Sequence, residues 1–340
     1  MKYEKKYLTT DRLNTAYIHT GKPGGEKLVL VHGNVSDSAF FSALFPLLGN
    51  DFEIIAPDLR CFGDSEAKVI DGTRGYRDYS DDVHALLKAL GWEKFYLAGW
   101  SMGGGVVMQY AIDHPEELKG LVLLNPSSPY GFGGTYGEDG KMLEPAGLGT
   151  GGACQNPNTV AALVNQDKEA MKASLNASIF APDFFISDED REMYAEGMLK
   201  TKVGDGMYPG DFIQVGVWPM VAAGTKGVNN TMSATYGNVS GIVDIADKPP
   251  ILWVHGARDL IVSDTSYGDF GTLGKAGMLP GWPGEDVYPP QPMVSQTRYV
   301  LKKYQEAGGK FTELLQAGAH GCFIEDADEF VKALKEFTGV

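Results

Sequence analysis

A chain of 340 residues exceeds the usual length of a simple domain and leaves open one large domain with an insertion or two domains. With 43% hydrophobic and 21% charged residues it has the material for a globular core. Its formal net charge of −15 argues against nucleic acid and against anionic membranes as main partners, without selecting a function. Three scattered cysteines, Cys61, Cys154 and Cys322, make neither a disulfide framework nor a zinc site, and no metal or cofactor is expected. The start, "MKYEKKYLTTDRLNTAYIHTG", has no apolar h-region, and no run approaches the roughly 18 apolar residues of a membrane span. The cytoplasm is the expected location.

Along the chain, "EKKYLTTDRLNTAYIHTG" reads as an antiparallel hairpin with its turn near Thr10–Asp11. "KLVLV" (27–31), "FEIIA" (52–56), "FYLAG" (95–99), "LVLL" (121–124) and "ILWV" (251–254) are continuous apolar runs, the pattern of strands buried on both faces. Amphipathic stretches lie between and after them. In "SDDVHALLKALG", Val83, Leu86, Leu87 and Leu90 keep the 3.6 period before Gly91; 298–309 and 328–337 read the same way. Strand and helix in alternation predict an α/β fold, a mostly parallel sheet flanked by helices. The pattern breaks after "LVLLNPSSP". Residues 129–247 are rich in Gly, Met, Asn and aromatics, with weaker helices such as "SDEDREMYAEGMLKTK" behind a Ser187 N-cap. They are expected to form a mainly helical cap inserted between two core segments, 1–128 and 248–340. The stretch 271–293 is too rich in Pro and Gly for regular structure and is expected to be a long ordered loop.

"LAGWSMGGGVVMQYAIDHP" (97–115) carries the chemistry. Glycine at a helix start is unfavourable by roughly 0.5–1 kcal/mol against alanine, so a cluster of them needs another reason. A strand turning sharply into a helix strains the residue at the turn and needs small neighbours two positions either side. Gly99-Trp100-Ser101-Met102-Gly103 meets that G-x-S-x-G pattern and lifts the Ser101 hydroxyl to a helix N-terminus, where negative charge is favoured. No Lys follows the glycines, as a phosphate-binding P-loop would require.

On "VHGN", "PDLRCFGDS", "GWSMGG", "GARDLIV" and "GAHG", in that order, the chain resembles the α/β-hydrolase fold superfamily, in its capped serine-hydrolase form, over about 1–128 and 248–340. A serine hydroxyl needs a base, and the base an orienting carboxylate. Among six histidines, His320 lies in a glycine-flanked loop after the last predicted strand, within reach of the elbow. His32 is read as loop support, His84 and His114 as packing or surface residues, His255 as shaping the acid loop, and His19 as the hairpin end. The resemblance points to Asp259 as the acid, with Asp264 and Asp244 as competitors. The position after "LVLL" used by some relatives holds Asn125, which cannot carry the charge. The tetrahedral intermediate needs two N–H donors: Met102 supplies one, and the resemblance gives Asn34 as the other. "HGN" also resembles haloalkane dehalogenases, but those place an aspartate where this chain has Ser101. Cys61 stands where relatives often have glycine, and both it and Cys322 are read as buried packing residues.

Triad chemistry implies acyl transfer, and the pocket walls set the acyl group. Aromatic and Met residues of the insertion, Trp218 among them, together with Trp100, suit an uncharged, largely apolar substrate. The expected activity is hydrolysis of small or medium carboxylic esters or lactones, with no nucleic-acid or membrane partner. Three alternatives stand beside it. A C–C bond hydrolase would use the same triad. A proline-releasing aminopeptidase would recruit Asp183, Asp188, Glu189, Asp190 or Glu192 to hold an amine. A non-catalytic ligand-binding receptor would keep only the fold.

Overall fold

In the computed structural model, which describes residues 3–340, the apolar runs become one sheet. A hairpin of β1 (Lys5–Thr9) and β2 (Asn14–Gly21) pairs Lys5 with Ile18 through Thr9 with Asn14, around the expected turn. Then come β3 (Glu26–Val31), β4 (Phe52–Pro57), β5 (Phe95–Trp100), β6 (Leu118–Leu124), β7 (Ile251–Gly256) and β8 (Phe311–Gln316). Their spatial order is β1-β2-β4-β3-β5-β6-β7-β8. Six strands are parallel, and the hairpin joins antiparallel through β2 on β4. Leu28–Val31, Leu121–Leu124 and Ile251–Val254 are all at or below 2% exposed. Helices cover both faces of such strands, which is why their sequences do not alternate.

The flanking helices are α1 (Arg77–Ala89), α2 (Met102–Asp113), α4 (Met293–Glu306) and α5 (Ala327–Thr338), with α3 (Asp188–Leu199) in the inserted segment. α1 buries Val83, Leu86 and Leu87, and Gly91 follows it at φ +73°. α4 starts at Met293 rather than 298. The Asp264 carboxylate accepts the Val294 and Ser295 N–H groups at 2.8 and 3.0 Å, capping a turn that periodicity does not reveal. The stretch 271–293 begins inside a short helix, Phe270–Lys275, opened by Asp269 accepting from Thr272 N at 2.8 Å; the remainder up to α4 is irregular.

Between β6 and β7 lie helices at 157–164 and 168–179, α3, one turn at 228–231, 3-10 turns at 151–154 and 240–244, and two small ribbons. Eight glycines between 131 and 151 sit at positive φ, and the helices of the segment begin after them. α3 does open as expected, with Ser187 Oγ accepting from Asp190 N at 3.1 Å. The segment rests on loops that follow strand ends. Asn229 meets the loop after β3, Ile179 the loop after β8, and Asp183 the loop after β7. Open α/β sheets bind ligands outside those carboxyl ends. No helix among the described residues is long and apolar enough to cross a membrane.

Candidate active site

Ser101 joins β5 to α2 with φ 58° and ψ −120°, a conformation L residues rarely adopt. Its backbone is held by Ser101 N–H to Leu124 O (2.9 Å), and its carbonyl accepts from Gly104 and Ser127 (2.9 and 3.0 Å). The flanking glycines answer to space. A Cβ on Gly99 would sit 2.2 Å from Gly103 O, and one on Gly103 would sit 2.4 Å from Val31 O. The helix start is thereby pressed against the ends of β5 and β3. The loop after β3 passes directly over the serine, since a Cβ on Gly33 would lie 2.9 Å from Ser101 Cβ and 3.4 Å from its Oγ. Ser101 itself stays half-buried.

His320, in the loop after β8, is 2% exposed, and its Nδ1 lies 2.8 Å from Asp259 Oδ2. An ionised carboxylate only accepts, so Nδ1 carries the proton and Nε2 is left as the basic nitrogen. Asp259 follows β7 in a tight turn. Its Oδ1 accepts from Ile261 N (2.7 Å) and Val262 N (3.0 Å), and its Oδ2 from Asn125 Nδ2 (2.6 Å) as well as His320. The Asp259 side chain, 1% exposed, thus has four donors gathered on its two oxygens. Among the described residues, the competing positions are engaged elsewhere. Asp264 caps α4, and exposed Asp244 ends a turn.

Asn125 is the residue sequence reasoning passed over. Its amide also donates to Ala319 O (3.2 Å), and its Oδ1 accepts the Cys322 S–H at 3.0 Å. It thus ties the Asp259 turn to the His320 loop. Burial pushes the Cys322 thiol well above its ordinary pKa, so it serves there as a neutral donor. Trp100 reaches the same loop, its indole N–H donating to His320 O at 2.9 Å, with ring centroids 5.4 Å apart. Trp100 is 2% exposed and packed among Phe40, Phe323 and His320. These contacts hold it, out of reach of solvent, against the His320 loop. Trp218 is half-buried in a separate apolar cluster, edge-on to Tyr288 at 4.8 Å, with its N–H on Pro280 O. Its position ties down the 276–288 loop.

The other sequence candidates sort themselves by partner. His32 is fully buried; its Nε2 accepts from Leu59 N (2.9 Å), so Nδ1 donates to Gly33 O (2.8 Å). Burial pushes its pKa down to about 4, and the neutral ring pins the β3 loop to the β4 loop. His255 stacks on Trp253 and bonds Glu313, and His19 bonds Glu53. Asn34 donates from its side chain to Asn229 Oδ1 (3.0 Å) and accepts from Val35 N (3.0 Å), steadying Val35 at φ 48°. Cys61 stands at φ 67°, the left-handed region glycine prefers, which explains why its place suits glycine. Its thiol donates to Lys68 O at 3.1 Å, and burial raises its pKa to about 11.

The inserted segment closes on the site from two sides. Gly321 N–H, next to His320, donates to Ile179 O (2.8 Å), and Glu325 accepts from both Ala319 N (2.7 Å) and Ala181 N (3.2 Å). Arg258, beside Asp259, donates to Asp183 at 2.6 Å. Phe40 stacks on Tyr194 of α3 at 4.6 Å, and Phe180 continues the column. The residues around Ser101 and His320 are therefore mainly apolar, with an amide pair, Asn34 and Asn229, at one side.

Residues 27–281 match a family model described as alpha/beta hydrolase fold. A serine hydrolase-like protein from Danio rerio is 28% identical over 196 residues, 56% of this chain and 57% of its own. A 2-hydroxy-6-oxo-6-phenylhexa-2,4-dienoate hydrolase from Burkholderia cepacia is 30% identical over 128 residues, 36% of this chain and 44% of its own. The chain thus spans about half the length of these curated relatives. The crystal structure of the esterase RhEst1 from Rhodococcus sp. ECU1013 superposes with a TM-score of 0.60 at 20% identity, covering 99% of this chain and 98% of that one. At that identity the likeness is one of fold.

Proposed function

Since the chain belongs to the α/β-hydrolase fold family, we propose that it is a serine hydrolase of small or medium, largely apolar carboxylic esters or lactones. Ser101 is the nucleophile, His320 the base and Asp259 its orienting acid. The Met102 and Asn34 N–H groups form the oxyanion hole, and residues 129–247 act as the cap. The observation that carries this reading is the Asp259–His320 pair at 2.8 Å, with the carboxylate held by three further donors. Such a pair fixes the tautomer whose Nε2 can take a serine proton.

In the reaction His320 Nε2 accepts the Ser101 proton as Oγ bonds the acyl carbon. The carbonyl electrons move onto oxygen facing the two N–H donors. The intermediate collapses as the imidazolium protonates the leaving alkoxide. Water, deprotonated by the same imidazole, then releases the acid and restores Ser101. A lactone follows the same steps and yields one hydroxy acid.

The contacts of the acidic cap residues speak against the aminopeptidase reading. Asp183 pairs with Arg258, Glu192 with Lys168 and Lys172, and Asp190 with Ser187, while Asp188 and Glu189 are exposed in the first turn of α3. Carbon–carbon cleavage stands as the second reading, favoured by the Burkholderia cepacia relative whose name states a dienoate hydrolase. The test is labelling with a fluorophosphonate, alongside a panel of p-nitrophenyl esters of graded chain length, lactones and a vinylogous 1,5-diketone. Ser101 should be labelled in folded protein and the label lost in Ser101→Ala. Folded protein without label would overturn the enzyme reading and leave the receptor. Diketone turnover above all esters would move the substrate to the second reading.

A further inference from the structure

Two histidines and a carboxylate that the proposed reaction does not use meet at the end of α2 remote from Ser101. His84 lies on α1; His114 and Glu117 lie in the turn between α2 and β6. All three are half-buried, and they offer one ligand atom each, all within 4.8 Å of one another. His84 Nδ1 is 3.3 Å from Glu117 Oε2 and 3.2 Å from the Tyr110 hydroxyl, which itself donates to Glu117. Zinc bonds of about 2.0–2.1 Å in a tetrahedron put ligand atoms about 3.3 Å apart. The His84–Glu117 edge therefore already has coordination spacing.

The His114 ring is stacked on His84, with centroids 3.9 Å apart and planes 9° from parallel. Parallel rings cannot both aim a lone pair at one ion, so binding requires His114 to turn out of the stack. Nothing in its backbone opposes this, since His114 is the C-cap of α2 at φ −140°, outside the helical turn. The surroundings favour a cation. The last carbonyls of α2 bring the negative end of its dipole to this corner, on a chain of net charge −15.

We propose that His84, His114 and Glu117 form a binding site for a borderline divalent cation of the Zn²⁺ class, with water completing the tetrahedron. Two imidazoles and one carboxylate suit zinc and are a poor set for Mg²⁺ or Ca²⁺, which take oxygen ligands. The twelve residues of α2 put roughly 18 Å between this corner and Ser101, so the ion clips α1 to the α2–β6 turn and takes no part in the reaction. The assignment is independent of the proposed function.

The test is calorimetric titration of the tag-free full chain with Zn²⁺, with Mg²⁺ as competitor, and Co²⁺ absorption as a report on geometry. One Zn²⁺ per chain should bind, unaffected by millimolar Mg²⁺, and Co²⁺ should give the intense visible bands of a tetrahedral site. His84→Ala and His114→Ala should each weaken binding at least tenfold. His84→Gln and His114→Gln keep side-chain volume and guard against a folding defect; both should lose zinc equally. Absence of saturable binding, displacement by Mg²⁺, or unchanged affinity when His84→Gln and His114→Gln are combined would overturn the assignment.

Discussion

Replacing Asp259 by Asn is the sharpest test of the triad, because its outcome follows from counting donors. The carboxylate accepts two backbone N–H groups on Oδ1, at 2.7 and 3.0 Å, and the Asn125 amide and His320 on Oδ2, at 2.6 and 2.8 Å. An amide must turn its NH₂ to one side. Facing Ile261 and Val262, it orphans two buried donors at about 1–3 kcal/mol each. Facing Asn125 and His320, it orphans only one, and Asn125 still reaches Ala319 O at 3.2 Å. The second orientation therefore wins by about 1–3 kcal/mol. It forces His320 Nδ1 to become the acceptor and moves the ring proton to Nε2, the nitrogen that should receive the serine proton. A triad in the wrong tautomer loses about 10⁴ in kcat, roughly 5 kcal/mol of barrier. Asp259→Asn should show this in p-nitrophenyl ester turnover, with a melting temperature close to that of the parent. A variant keeping more than a tenth of the parental kcat would refute the assignment, as would an equal loss in Asp264→Asn.

The His32 ring, neutral when folded with its pKa pushed down to about 4, should make stability depend on pH. Unfolded imidazole titrates near 6.5, so the unfolded chain binds more protons between pH 6.5 and 4. Stability should fall by on the order of 3 kcal/mol as pH drops through that window. Urea unfolding at pH 7.5 and 4.5 should show His32→Gln losing less on acidification than the parent; equal losses would exclude this cause. Gly99→Ala drives a Cβ to 2.2 Å from the Gly103 carbonyl and should cost about 1–3 kcal/mol or more of stability, read from the shift of the urea midpoint. Asn229→Leu removes the acceptor that anchors Asn34. If Asn34 N–H serves the oxyanion, kcat should fall about tenfold to hundredfold through misplacement, with KM and melting temperature little changed. An unaltered kcat would take Asn229, and the Asn34 anchor with it, out of the mechanism.

What the sequence disclosed and what it withheld divide along the range of the interactions. The parallel strands were readable because burial on both faces imposes an unbroken apolar run, as in Leu28–Val31. The elbow was readable because backbone atoms of β3 and α2 approach so closely that only glycine fits, and glycine clusters stand out. The helices were readable in their middles and not at their starts. α4 begins where Asp264, nearly thirty residues earlier, supplies the cap. In the inserted segment the helix behind Ser187 was legible from its cap, whereas the turns of 131–151, set by positive-φ glycines, were not. Polar pairs across the chain carry no periodic trace. Asn125, dismissed as a missing acid, is a donor to the proposed one 134 residues away. Asn34 meets Asn229 at a separation of 195 residues. The same reason hid His84 beside His114, which a chain reading sees as one helical and one helix-ending histidine. Trp218 shows how little composition says about neighbours. Aromatic content in a cap suggests a substrate wall, yet a ring's neighbours are set by tertiary packing, and here Tyr288 and Pro280 claim it. Composition can therefore nominate apolar residues for a pocket, but the partners each of them takes, like the four donors that converge on Asp259, are set by tertiary packing.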